Sequence, residues 1–219
     1  MPRIKQRTPQ LRARVLAAAV DVLSDSGVSG FTTRRVAEQA HTSVPAVYEL
    51  FTDKAGLIRA VYFEGFRRLG RALAAVPETA EPIADLQRLV AVFRRFCLNY
   101  PALARVMFSR PFQDFEPGPE ELAAAPTVRE IFVRKISRCV DADELSGDAT
   151  DIAHVLLALA QGLAVQEGGR WLGHSAASVD RRWETGVRAL LRGFAGPRLA
   201  PDTPLGLPRD AAAGPPDPT

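Results

Sequence analysis

The sequence predicts an all-α protein of about nine helices, with two short ones paired near the N-terminus. Three observations carry this reading. Apolar residues recur at helical spacing in segment after segment, and no stretch alternates convincingly with the period of two of a half-buried strand. Ser, Thr, Asp and Pro stand where helices would start, and Gly or Pro where they would stop. The 219 residues are 47% hydrophobic and 24% charged, an ordinary balance for a globular chain of one large domain or two smaller ones.

Residues 1–7 read as a basic arm. Thr8 is placed to cap the first helix, Pro9 suits its first position, and Leu11, Val15, Ala19, Val22 and Leu23 recur along it until Gly27. Thr32 caps a second helix, Thr33 to Ala40, with Val36, Ala37 and Ala40 facing inward. His41, Thr42 and Ser43 form the turn. Ser43 caps a third helix, Val44 to Phe51, and Pro45 falls harmlessly in its first turn. Asp53 caps a fourth, Lys54 to about Val76, ended by Pro77; its apolar face includes Leu57, Val61, Phe66, Leu69 and Leu73.

Helical spacing continues over Ile83–Tyr100, until Pro101, and over Ala102–Ser109. Residues 110–126 contain four prolines and read mostly as loop. Thr127–Val140 is the next helix, Asp141–Gly147 a polar connection, and Asp148–Leu172 and about Ser175–Phe194 the last two helices. The tail, 197–219, has seven prolines and few large apolar side chains, a composition expected to stay disordered.

Charge is uneven. The chain carries a formal +3, but residues 1–70 hold 11 Lys and Arg against 6 Asp and Glu, whereas residues 71–219 hold 17 against 19. Arg3, Lys5, Arg7, Arg12 and Arg14 all precede the first acid, Asp21. A basic N-terminal module on a near-neutral body points towards nucleic acid. No continuous apolar run approaches the roughly 18 residues of a membrane span, and a polar, Arg-rich helix follows the basic start, so no membrane is expected and the expected location is the cytoplasm. Cys97 and Cys139 stand far apart in apolar segments, so they read as buried free thiols with no metal or redox spacing.

The short helices identify the module. A helix of about eight residues buries little and is unstable alone. A pair of them at a tight turn is useful when the second must project, as in a helix-turn-helix, where the start of the second helix meets base edges. Here the pair spans 32–51. Ser43, Val44, Pro45, Ala46 and Tyr48 form the presented end, small or flat enough for close approach and for contact with thymine methyls. Thr33 and Arg34 begin the preceding helix and Lys54 begins the next, where side chains and free N–H groups can meet phosphate or guanine.

The run Thr33-Arg34-Arg35-Val36-Ala37, followed by Ser43, Val47, Tyr48, Phe51, Lys54 and Leu57 at fixed spacing, resembles the signature of the TetR family of transcriptional regulators. The resemblance covers about residues 9–69. It implies an all-helical fold, a three-helix DNA-binding head (9–69) joined by the fourth helix to a ligand-binding and dimerising body (70–196), and no cofactor or metal. The implied partners are a double-stranded operator, a second copy of the chain and a small-molecule effector. Two departures stand out. His41 occupies a turn position where the family usually has glycine, so a strained or altered turn is expected. Leu50 stands where the family often has a phosphate-contacting Tyr or His, and Glu49 beside it adds negative charge.

Residues 94–115 together with Ala160-Gln161-Gly162-Leu163 more distantly resemble a subgroup of TetR-type C-terminal domains. Phe93, Phe96, Tyr100, Met107, Phe108 and Phe132 are candidates for the apolar walls of an effector pocket, with His154, Gln161 and Gln166 as polar groups. For the dimer, the resemblance implies an interface on the last two helices, whose apolar faces offer Leu159, Leu163, Trp183, Val187, Leu190 and Phe194. Two other function classes fit the sequence less well. An enzyme lacks a nucleophile–base set, a phosphate loop or metal spacing among His41, His154 and His174, so no catalytic residue is assigned. A helical adaptor would bind protein alone.

Overall fold

The computed structural model describes residues 8–109 and 126–195. The basic arm, most of the proline-rich loop and the tail lie outside the described residues. Within them the chain forms nine helices and no strand: α1 (Pro9–Ser26), α2 (Thr33–Gln39), α3 (Val44–Phe51), α4 (Lys54–Ala74), α5 (Pro82–Asn99), α6 (Pro101–Ser109), α7 (Pro126–Asp141), α8 (Ala149–Gly168) and α9 (Ala176–Ala195).

The starts are set by short polar side chains. Thr8 accepts from the Leu11 amide at 3.2 Å, Thr32 from Arg35 at 3.3 Å, Ser43 from Ala46 at 3.3 Å and Asp53 from Gly56 at 2.7 Å. Each such cap contributes about 1 kcal/mol. Gly27 ends α1 with φ +64°. Most other boundaries fall within about two residues of expectation. The exception is α8, which stops at Gly168 rather than Leu172. The Gly168–Gly169 pair and the left-handed Arg170 (φ +61°) turn the chain there, and Trp171 and Leu172 donate back to the Gln166 carbonyl.

One cluster of buried side chains runs from Val15 to Leu191. The central element is α4, which touches α1 and α3 on one side and α5, α6 and α7 on the other. It passes unbroken through residues 69 and 70, so the expected head–body boundary falls inside a rigid helix. Although α8 is long and apolar enough by composition to cross a membrane, it packs here against α5, α7 and α9.

The far end of α4 is clamped by buried ions. Lys135 of α7, almost wholly buried, donates from Nζ to the carbonyls of Val76 (3.1 Å) and Pro77 (2.9 Å). Beside it Asp85, also buried, accepts from the Thr79 amide (2.7 Å), the Thr79 hydroxyl (2.9 Å), Arg138 (2.7 Å) and Arg88. Burial by itself would push the Asp85 carboxyl up. The hydrogen bonds from Thr79, Arg138 and Arg88 outweigh burial and hold it well below the usual carboxylate range.

Candidate nucleic-acid interface and effector domain

Val36, Ala37 and Ala40 of the first short helix and its cap, with Val47 and Phe51 of α3, are buried against α1 and α4. That packing fixes which side of α3 turns outward. Ser43, Pro45, Tyr48 and Glu49 are exposed, and Val44, Ala46 and Leu50 are half-buried. Tyr48 is one of the few large hydrophobic side chains left in solvent, at 42% exposure. Arg34 projects from the first turn of α2 and pairs with Glu38 across one turn, 3.0 Å apart on the surface, a link too weak to hold it there. Lys54 starts α4 and is half-buried. Thr33 departs from expectation: only 7% exposed, it fills space beneath α2 instead of facing outward. Its position on the inward side of α2, one turn before Val36 and Ala37, is the reason.

The corner between α3 and α4 is close-packed. A Cβ on Gly56 would lie 2.0 Å from the Phe51 carbonyl oxygen, so the tight approach of the two helices requires the missing side chain. The turn between α2 and α3 keeps standard helix-ending geometry despite the histidine. His41 N–H donates to Glu38 O at 3.1 Å and Thr42 N–H to Ala37 O at 2.9 Å, the two bonds of a Schellman motif, whose left-handed residue is usually glycine. His41 takes that place with φ +49°. The turn is therefore strained and unaltered in course.

Two of the basic residues that precede Asp21 are built into the head. Arg14 Nε donates to the Ala40 carbonyl at 3.0 Å, tying the end of α2 to α1. The Arg12 guanidinium lies 4.9 Å from the centre of the Phe51 ring.

A model of the bacterial regulatory proteins of the tetR family matches residues 15–61, and a model of tetracyclin repressor-like C-terminal domains matches residues 86–190. The chain belongs to the TetR family. Tetracycline repressor protein class C of Escherichia coli is 27% identical over 217 residues, taking in 90% of this chain and 87% of that one. The nucleoid occlusion factor SlmA of Aliivibrio fischeri is 32% identical over 106 residues, 46% of this chain and 53% of SlmA, so the match spans about half the length of that relative. Among solved structures, a protein of unknown function from Rhodococcus sp. RHA1 superposes with a TM-score of 0.74 at 27% identity, covering 87% of this chain and 98% of its own. A tetR-family regulatory protein from Rhodococcus RHA1 shares the fold, with a TM-score of 0.63, 23% identity and coverage of 84% and 97%.

In this TetR-family chain the residues expected to line one pocket are dispersed. Phe93 and Phe132 are fully buried and Met107 nearly so; with Phe66 and Phe108 they fill the middle of the body as core. Phe96 and Tyr100 lie 5.2 Å apart with their rings tilted by 45°, and they face a separate cleft of about 370 Å³ beside Glu64 and Arg68 of α4. His154 sits on the outer side of α8, exposed, with Nδ1 2.9 Å from the carbonyl of Thr150. Gln166 is exposed as well. Gln161, together with Phe108, lines a slot of about 400 Å³ between α5, α6 and the second half of α8. Core and pocket wall share the same aromatic periodicity, so spacing alone does not separate them.

The expected dimer residues also divide. Trp183 and Val187 are buried within the subunit. Trp183 Nε1 donates to Glu167 Oε2 at 2.7 Å, and Arg94 lies 5.3 Å from its ring centre. Arg94 holds Glu167 with two bonds, 2.9 and 2.7 Å, and Asp180 at 2.8 Å, joining α5, α8 and α9. Leu159, Leu163, Leu190 and Phe194 are half-buried, the first two close to Gly186 of α9. What remains open on α8 is Val155 and Val165, each about half exposed, with Ala158 and Gly162 between them. The α9 stripe is broad enough to serve its own subunit first, which the periodicity alone did not separate. The buried ions had a visible signal: Lys135 falls on the same helical face as Phe132, Ile136 and Cys139, and Asp85 on that of Leu86 and Leu89.

Proposed function

We propose that this DNA-binding regulator is a homodimeric repressor that a small-molecule effector releases from a palindromic operator in the cytoplasm. The observation that carries the reading is the outward-facing start of α3, with Tyr48 in solvent, held by a helix that continues into the body. Ser43, Val44, Pro45, Ala46 and Tyr48 would meet bases. Arg34, Lys54 and the N-terminal end of α2 would meet phosphate or guanine.

The tetracycline repressor relative supports repression as the sign. A dimer suits the geometry, since two heads must reach half-sites roughly 34 Å apart or a multiple of it. The exposed strip of α8 from Val155 to Val165 supports the self-contact. Effector and operator would be coupled by preferring different spacings of the two heads. Because α4 belongs to both halves, the movement would pass through it. Met107 of α6 packs closely enough on Gly65 of α4 that a Cβ there would lie 2.5 Å from its sulfur, so a shift of α6 would be felt by α4.

Selection from random duplexes by the purified protein tests the DNA reading. A palindromic site should emerge, and Arg34→Ala and Tyr48→Ala should each weaken its binding, by roughly 1–3 kcal/mol for a lost guanine contact. If both variants fold and bind the selected site as well as the parent, the interface is misplaced.

A further inference from the structure

We propose that the slot between α5, α6 and α8 binds a neutral, largely apolar small molecule whose one hydrogen-bonding group is read by Gln161. The inference rests on the reading of the protein as an effector-gated regulator and names the chemistry of its effector. The slot, about 400 Å³, lies near the lower end of the roughly 300–1,000 Å³ typical of ligand sites. Its walls are mostly apolar, with Leu98, Ala104, Phe108, Ala164 and Val165 among them. A larger groove of about 680 Å³ between α5 and α9 is more open, and the charged side chains of Arg95, Asp180, Glu184 and Arg188 line it.

The charges around the slot select against an ionised guest. Glu167 reaches its inner end, but both carboxylate oxygens are engaged by Arg94, and one also by Trp183. A ligand ammonium would therefore find no free counter-charge, while Arg105 at the rim would repel it. An anion fares no better at depth. Cys97 reports on that region: burial first, and the Glu167 charge second, push its thiol up to about 12. The same two effects would oppose a carboxylate lodged beside it.

That leaves the amide of Gln161, half-buried in the wall and making no hydrogen bond among the described residues. It offers both a donor and an acceptor, which suits a ketone, ester, amide or alcohol. Pro101, Ala102, Ala104, Arg105 and Phe108 of α6 form one side of the slot, and the opposite side of α6 carries Leu103 and Met107 against α4. Occupation of the slot therefore acts on an element that already touches the helix leading to the head.

Titration calorimetry of the full chain with octanone, octanoate and octylammonium tests this, since the three share an apolar body and differ in head group. Octanone should bind at least tenfold more tightly than either ion. Gln161→Leu should weaken it by roughly threefold to tenfold, the worth of one hydrogen bond. Filling the slot, by Ala164→Phe from α8 or Ala104→Leu from α6, should abolish binding in whichever variant keeps a cooperative melt. Equal binding of an ion, no binding of any probe, or octanone binding unchanged in Gln161→Leu or in a folded filled variant overturns the proposal. Operator binding by the same preparations keeps the two readings apart. Intact DNA binding with no ketone site sinks only the slot, whereas absent DNA binding sinks the regulator reading.

Discussion

His41 holds a left-handed backbone at a turn position that glycine fills most easily. A side chain in the left-handed region costs on the order of 1–2 kcal/mol, less for His than for bulkier residues, and here the turn's two hydrogen bonds hold it there. His41→Gly should therefore raise stability by up to about 1 kcal/mol, after subtracting glycine's greater entropy in the unfolded chain. Denaturant midpoints with unchanged slope would show it, and a destabilised variant would mean that the ring makes a contact worth more than the strain. Thr33 teaches the complementary lesson. Being at the start of a helix beside an interface does not place a side chain in the interface, because the helix has an inward side too.

At the scale of elements, the clamp on the end of α4 does what the apolar contacts cannot. Lys135 satisfies two carbonyls just beyond the helix, and Asp85 gathers Thr79, Arg88 and Arg138 around the following turn. The hydrogen bonds hold the folded Asp85 carboxyl below the unfolded value of about 3.9. Its contribution is therefore complete above that pH and is lost as pH falls below it towards the folded value. Asp85→Asn should melt at a lower temperature than the parent at neutral pH. The gap should close as pH drops below about 4. Melting curves across pH 7 to 2.5 would check this, and a constant gap would assign Asp85 a packing role without the charge.

At the scale of the whole molecule, two surfaces should join copies and DNA. Val155 is half exposed on α8, on the strip that also carries Ala158 and Gly162, and it lies outside the slot wall. Val155→Asp should convert a dimer into a monomer on sedimentation and weaken operator binding, while the monomer's melting stays cooperative. An unchanged sedimentation coefficient would move the interface elsewhere. The head has few phosphate grips near α3, since Leu50 offers no polar group, Glu49 adds negative charge, and Arg12 and Arg14 are engaged with Phe51 and Ala40. Arg3, Lys5 and Arg7 should then supply much of the salt-dependent affinity. Replacing all three with Ala should lower the slope of log K against log salt by about 0.9 for each lost phosphate contact. An equal slope would place the electrostatic contacts in the folded head.

The sequence by itself determined the helices, their caps and the helix-turn-helix, because those follow from local chemistry. Thr8, Thr32, Ser43 and Asp53 cap helices whether or not the rest of the chain is in view, and helical spacing is read within a few turns. Only the tertiary structure decided which apolar residues are core and which line a cavity, since Phe93, Phe132 and Gln161 obey the same spacing and differ only in what packs over them. It also decided that Trp183 and Val187 serve their own subunit, that Arg14 is a staple, and that Lys135 and Asp85 hold the end of α4. Each of these depends on partners about 15 to 60 residues away. No local pattern records such pairings, because they are fixed by how the helices pack.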